Sequence, residues 1–222
     1  MNIRISNDLS EKIPGFKAAC IHYHNITVGP SPKMIQGRIQ LFQESLFLDL
    51  QEKVLTDYEG IKEWRSIFKK AGTDPSRYRP SAEALFRRVK KQQFLPPIHS
   101  AIDINNFFSL KYEIPLGIYD RDHISGNVTI AAGGPDDAYQ GLNGRMNMLA
   151  GMILARDENG PFGTPYVDSE RTKVTENTVN ALQIVYLKPS MYKEEGLELA
   201  ESISSMFTQV HGGEAEVEVV TA

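Results

Sequence analysis

GNVTIAAGGPDDAYQGLNG, residues 126–144, is where the chain changes texture. Before about residue 95, apolar residues recur every three or four positions. Here they come in short β-branched runs cut by glycine. Similar runs follow in MLAGMILARDENGPFGTP (148–165) and NALQIVYLKP (180–189). This spacing predicts short strands joined by tight turns, and so a mixed sheet or small barrel. The glycines of 126–144 also invite comparison with a dinucleotide-binding loop. No strand–GxGxxG–helix order surrounds them, and tight turns using glycine's tolerance of positive φ account for them better.

Upstream, NIRIS (2–6) and FKAACIHYHNITVG (16–29) are rich in β-branched and aromatic residues and read as strands, the second ending at Gly29-Pro30. Ser31-Pro32 offers an N-cap followed by proline at a first helical position. Ile35, Ile39, Phe42, Leu46, Leu50 and Val54 then mark one face of a long helix. IKEWRSIFKKAG (61–72) is a second helix, closed by Gly72. TDPSRYRP (73–80) is a turn-rich connector. At the other end, Leu197, Ala200, Ile203, Phe207 and Val210 define a helix over 192–210, and EAEVEVV (214–220) a last strand. Helices crowd the first half and strands the second, which predicts an α+β fold. With no repeat, low-complexity segment or linker, residues 1–222 read as one domain.

Composition narrows the function classes. The 222 residues are 41% hydrophobic and 23% charged, near the globular average. The formal charge of −4 means that contact with a polyanion must be local. A single cysteine, Cys20, excludes an internal disulfide and multi-cysteine metal sites. The opening MNIRISNDLSEK has no apolar signal core, and no apolar run reaches membrane-spanning length, so the expected location is cytoplasmic, with no membrane partner. The sequons at Asn25 and Asn127 carry no weight in that setting.

RYRPSAEALFRRVKK (77–91) packs six cationic side chains into fifteen positions. Ser81 is placed to cap a helix after Pro80, with Glu83 favourable to its dipole. Ala82, Leu85, Phe86 and Val89 form its inward stripe, leaving Arg87, Arg88, Lys90 and Lys91 as a solvated face. Arg77 and Arg79 differ, because they lie in an irregular loop where side chains more often serve a site.

Standard catalytic constellations are absent: there is no GK[ST] phosphate loop, HExxH or GxSxG. His22 and His24 share a strand face but suggest no third ligand, so no metal and no organic cofactor is expected. AIDINNFFSLKYEIPLGIYD (101–120) carries more chemistry. Asp103 is placed to cap a short helix whose Ile104, Phe107 and Phe108 point inward, putting Asn105 and Asn106 in its first turn. Two readings stand there: side-chain and backbone amides holding a carbonyl or oxyanion, or asparagines serving only as cap residues.

The ordered set RPSAEALFRRV, LPPIHSAIDINNFFSL, IPLGIYDRDHISGNVTI, DDAYQGLNG and VTENTVNALQI resembles the editing domain formed by the third and fourth modules of the phenylalanyl-tRNA synthetase β chain. The likeness covers about residues 77–188, with 1–72 and 190–221 expected to pack on that core. The chain looks like a free-standing version of the domain, without catalytic synthetase modules. The resemblance implies a small closed β-barrel with helices around it, and hydrolysis by water of amino acids wrongly attached to tRNA.

By position, the resemblance puts Asn105 in place of a pocket threonine and Asn106 on the family's asparagine. It puts Asp137 on a glutamate that reads the amino-acid side chain, and Gly117 where the family keeps a histidine near the ester. PFGTP (161–165), with Gly163 and Thr164, stands in for a glycine-rich wall. Arg77 and Arg79 would then meet tRNA phosphates. Asp137 is one methylene shorter than glutamate, roughly an ångström of reach, which predicts a changed amino-acid preference. The missing histidine removes acid–base help worth about 10²–10⁴-fold and leaves the catalytic residue unassigned. A non-enzymatic module binding RNA or an amino acid in the same pocket is the alternative.

Overall fold

The computed structural model describes residues 1–221. The chain opens with β1 (Ile3–Ile5), α1 (Asn7–Lys12) and β2 (Lys17–His24), then a helical block of α2 (Lys33–Glu52), α3 (Glu59–Ala71), α4 (Ser81–Lys90) and α5 (Ser100–Tyr112). Short strands follow: β3 (Leu116–Asp120), β4 (Val128–Ala132), β5 (Ala138–Gln140), β6 (Met146–Met148), β7 (Ile153–Asp157), β8 (Gly160–Gly163) and β9 (Ala181–Tyr186). α6 (Lys193–His211) and β10 (Glu214–Thr221) close the chain. The α+β reading therefore holds.

The barrel does not. The strands form two open four-stranded sheets, ordered β1-β4-β7-β8 and β10-β2-β9-β3, beside the hairpin β5-β6. Closure needs one ladder running from the last strand back to the first. No named strand of one sheet pairs with a named strand of the other, so each keeps free edges. One large apolar core runs from Ile3 to Phe207 and joins both halves of the chain. A second, of Leu46, Leu50, Ile61, Phe86, Val89 and Leu110 among others, ties the helical block together.

Helix bodies follow the periodicity, but several helix starts differ from expectation. In α2, Ile35, Ile39, Leu46 and Leu50 are buried, whereas Val54 lies beyond the helix and is exposed. Its N-cap is Pro32, because the Ser31 hydroxyl donates to Asp103 Oδ2 at 2.5 Å instead. Gly72 ends α3 at φ 105°, a left-handed conformation that suits glycine. In α4, Ser81 is the first helical residue rather than the cap. Glu83 is fully buried between Arg65 (2.8 Å) and Arg87 (2.9 Å), held by ion pairs and not by the helix dipole alone. Arg87, Arg88, Lys90 and Lys91 are exposed, the solvated face the stripe predicted.

α5 begins three residues before Asp103, with His99 as its cap. Asn105 and Asn106 therefore lie past the first turn, whose amides alone lack helical partners. A free helix-start amide no longer stands beside either asparagine to help hold an oxyanion.

Candidate functional site

Strand β3, LGIYD, is buried along its whole length and pairs with β9, so its residues alternate between the two faces of the sheet β10-β2-β9-β3. Leu116 and Ile118 lie opposite Val185 and Gln183 on one face; Gly117 and Tyr119 lie opposite Ile184 and Leu182 on the other. Helices α5 and α6 cover the first face. The second meets β8 of the other sheet.

On that second face the Tyr119 ring folds back over Gly117 and reaches Gly163. A Cβ at either glycine would overlap the tyrosine's hydroxyl end. Phe162 packs edge-on against the ring, with centroids 4.9 Å apart. The Tyr119 hydroxyl donates to Asp168 Oδ1 at 2.8 Å, and the Thr164 amide points at the same oxygen from 3.4 Å. The Tyr139 hydroxyl donates to the Val167 carbonyl and approaches Thr164 Oγ1 at 3.3 Å. Burial pushes the Asp168 carboxyl up to about 7, against the opposing pull of the bonds from Tyr119 and Thr164. Burial also drives the hydroxyls of Tyr119, Tyr139 and Tyr186 well above the ordinary phenol range, so they remain donors. Tyr186, on the same face, keeps a buried hydroxyl with no hydrogen-bond partner.

The arginine loop docks on this wall. The Ser81 amide donates to the Pro165 carbonyl at 2.7 Å, and Tyr78 meets Tyr166 edge-on at 5.5 Å. Arg77 lies over the Tyr78 ring, 5.0 Å from its centroid. Arg77 and Arg79 are both exposed, and neither forms an ion pair among the described residues. The structure thus groups Gly117, Gly163 and Thr164 around the Tyr119 ring and ties the loop that carries Arg77 and Arg79 to the same wall.

The other expected residues make contacts of their own. Asn105 belongs to the helix-covered face. Its Nδ2 donates to the Leu116 carbonyl at 3.2 Å, and its Oδ1 accepts from Gln183 Nε2 at 2.9 Å. Gln183 Oε1 in turn accepts from the Tyr23 hydroxyl at 2.8 Å. That chain is buried, and it engages both ends of the Asn105 amide. Asn106, one position on, turns about 100° around the helix and opens with Asp103 and Gln43 on a cavity of about 380 Å³ between α2 and residues 95–97. Asp137 lies in the turn before β5, where Oδ2 accepts from the Gly134 amide at 2.9 Å and faces Arg156 at 3.4 Å.

His22 faces Glu218 at 3.3 Å, and among the described residues no three His, Cys, Asp or Glu side chains converge as metal ligands. No described helix is long and apolar enough to cross a membrane.

Sequence reasoning missed Asp168, Tyr119 and Gln183. Asp168 stands in a polar turn sequence that hides its inward carboxylate, and Gln183 is a lone amide inside an apolar strand. The only signal for Gln183 was that position, since a buried strand rarely carries an unpartnered amide.

A family model described as B3/4 domain matches residues 63–209. The uncharacterized protein YhzB of Bacillus subtilis is 34% identical over 221 residues, covering 100% of each chain. The phenylalanine–tRNA ligase beta subunit of Fusobacterium nucleatum is 26% identical over 125 residues, 55% of this chain and 16% of that one. The Brucella abortus subunit is 29% identical over 143 residues, 63% of this chain and 18% of that one. The chain therefore spans only a small part of either ligase subunit. An N-terminal fragment of the phenylalanyl-tRNA synthetase beta-subunit from Pyrococcus horikoshii superposes on 99% of this chain and 50% of its own, with 12% identity and a TM-score of 0.46.

Proposed function

Because the chain belongs to the B3/4 domain family, we propose that it acts on the aminoacylated 3′ end of a tRNA and removes a wrongly attached amino acid by ester hydrolysis. The observation that carries this reading is the docking of the Arg77–Arg79 loop on the Gly163–Asp168 wall. Two exposed guanidinium groups, placed to hold 3′-terminal phosphates, would bring the ester to that wall.

In the reaction, a water oxygen attacks the ester carbonyl and gives up a proton. The tetrahedral species collapses, the ribose oxygen leaves with a proton, and free amino acid and uncharged tRNA result. Asp168 is our candidate for receiving the water's proton, since a carboxyl held near 7 exchanges protons at neutral pH. Tyr119 would hold that carboxylate in place. Gly117 and Gly163 would serve by leaving room for the tyrosine ring rather than by touching substrate. Asn105 would act as a scaffold, and Asn106, which opens on the cavity beside α2, would take no part at the wall.

One observation favours a second reading, a module that binds an aminoacyl end or an amino acid without cleaving it. Tyr119 fills the space between the two glycines, and no histidine stands at position 117. The discriminating experiment is deacylation of a panel of mis-charged tRNAs by purified protein, beside Asp168→Asn. Turnover that falls by about 10²-fold or more in the variant supports hydrolysis at this wall. No turnover above the spontaneous rate on any tRNA leaves only the binding reading.

A further inference from the structure

Helix α2 has two apolar faces, and only one is covered. Opposite the buried stripe, Met34, Leu41 and Leu48 are 76%, 69% and 67% exposed. They recur at intervals of seven, the period that keeps a row of side chains against another helix. Scattered exposed apolar residues need no explanation, but three large ones aligned along one helix do. Gly37 lies beside the row with nothing within 4 Å of where its Cβ would be, and Ser45 is exposed, so a second backbone can come close.

We propose that this face is an interface between two copies of the chain, with α2 packed antiparallel on the α2 of the partner about a two-fold axis at Leu41. The charges select both occupant and direction. The N-terminal half of α2 carries Lys33 and Arg38, and the C-terminal half carries Glu44, Asp49 and Glu52. An antiparallel copy puts the basic half of each helix beside the acidic half of the other. A parallel copy would put like beside like. With the axis at Leu41, Arg38 comes level with the partner's Glu44 and Lys33 with the partner's Asp49; within the chain Asp49 meets Lys53 at 3.5 Å, a pair exposed at both ends, and Glu44 accepts from Gln40 at 2.7 Å.

The same axis fixes the register. Leu41 meets its own copy, Met34 meets the partner's Leu48, and Gly37 comes level with the partner's Ser45. A self-complementary patch of this kind closes on itself and forms no filament. Packing along a seven-residue row implies a crossing angle of about 20°. One helix pair buries less than a standard interface, so a concentration-dependent equilibrium is expected rather than an obligate dimer. This interface is independent of any activity on tRNA.

Sedimentation velocity across a concentration series should show monomer and dimer, and Leu41→Glu should leave only monomer with unchanged thermal unfolding. Cysteine pairs then test the register, undisturbed by the fully buried Cys20. Leu41→Cys should oxidise to a disulfide-linked dimer. Met34→Cys and Leu48→Cys should cross-link to each other when mixed but not when each is oxidised alone. A wild-type protein that stays monomeric at every soluble concentration overturns the proposal. So does a Leu41→Glu variant that still dimerises, or Met34→Cys and Leu48→Cys chains that each cross-link only with themselves.

Discussion

The two faces of the sheet β10-β2-β9-β3 both bury polar groups, and they do so in opposite ways. On the helix-covered face, Asn105, Gln183 and Tyr23 form a neutral chain in which each hydrogen bond leads to the next. On the face turned to the other sheet, the Tyr119 hydroxyl and the Thr164 amide meet the Asp168 carboxyl, which burial holds near 7, beside a Tyr186 hydroxyl with no partner. A saturated neutral network fixes structure and resists change. A buried group able to gain or lose a proton near neutrality is a place where chemistry can happen. Being polar and buried does not separate scaffold from site; what separates them is unspent capacity.

The largest expected effect is at Gly117. A methyl there overlaps the Tyr119 ring, so Gly117→Ala should lower unfolding free energy by about 3 kcal/mol or more in a urea titration. Gly117→His, which supplies the side chain that the resemblance implies there, should be at least as damaging and should supply no new base. Wild-type stability in Gly117→Ala would mean that the ring does not fill this space, and the contrast between the faces would weaken.

Gln183→Leu comes next. It strips Tyr23 of its acceptor and Asn105 of a donor inside the protein, which costs about 2–3 kcal/mol. If the helix-covered face is only scaffold, any tRNA deacylation or binding measured at a temperature where the variant is folded should be unchanged. A selective loss of activity without loss of stability would move the site to that face.

These two residues also mark what the sequence could and could not disclose. The helices of the first half, the strands of the second and the exposed cationic face of α4 were legible because side-chain period reports burial directly. Strand closure was not, since it depends on which edges meet across long separations. The placement of Asn105 failed for a local reason. His99 starts α5 early, and Ser31 and the Ile98 amide take the Asp103 carboxylate that looked like a cap. Gly117 entered the sequence reading only through the resemblance, as the position of a missing histidine, and the buried strand β3 around it was not read. The ring it accommodates belongs to Tyr119, two residues on in the same strand, a contact that no sequence period reports.

A smaller effect is expected from pH. Folded Asp168 keeps its proton up to about 7, against an ordinary value of 3.8. Between those values the folded state binds more protons than the unfolded one. Its contribution to stability is therefore complete at low pH and is lost as pH rises from about 4 through 7. Asp168→Asn should flatten that decline, by about 1 kcal/mol between about pH 5 and 8 once partial solvent access is allowed for. Asp157 works the other way: Arg171 and the Ser125 amide hold its carboxyl below the usual range despite burial, so its contribution disappears on acidification. The difference between wild type and Asp168→Asn isolates the raised group. Identical pH profiles would show that the inter-sheet face holds no such acid.

The smallest stability effects belong to the arginines, and they test whether the inter-sheet face has a ligand at all. Arg77, Arg79 and Arg88 are all exposed, so replacing any one with alanine should change unfolding free energy by no more than about 0.5 kcal/mol. Their placement differs. Arg77 and Arg79 are in the loop tied to Pro165 and Tyr166, beside the Asp168 wall, whereas Arg88 lies on the solvated face of α4. If RNA is held at the wall, removing one arginine that grips a phosphate should reduce the log–log salt slope of binding by about one unit. Arg77→Ala and Arg79→Ala should each do so, and Arg88→Ala should not. Equal weakening by all three would turn the whole 77–91 stretch into a diffuse electrostatic patch. No weakening by any would remove RNA as the ligand, leaving the buried acid to serve a smaller molecule or none.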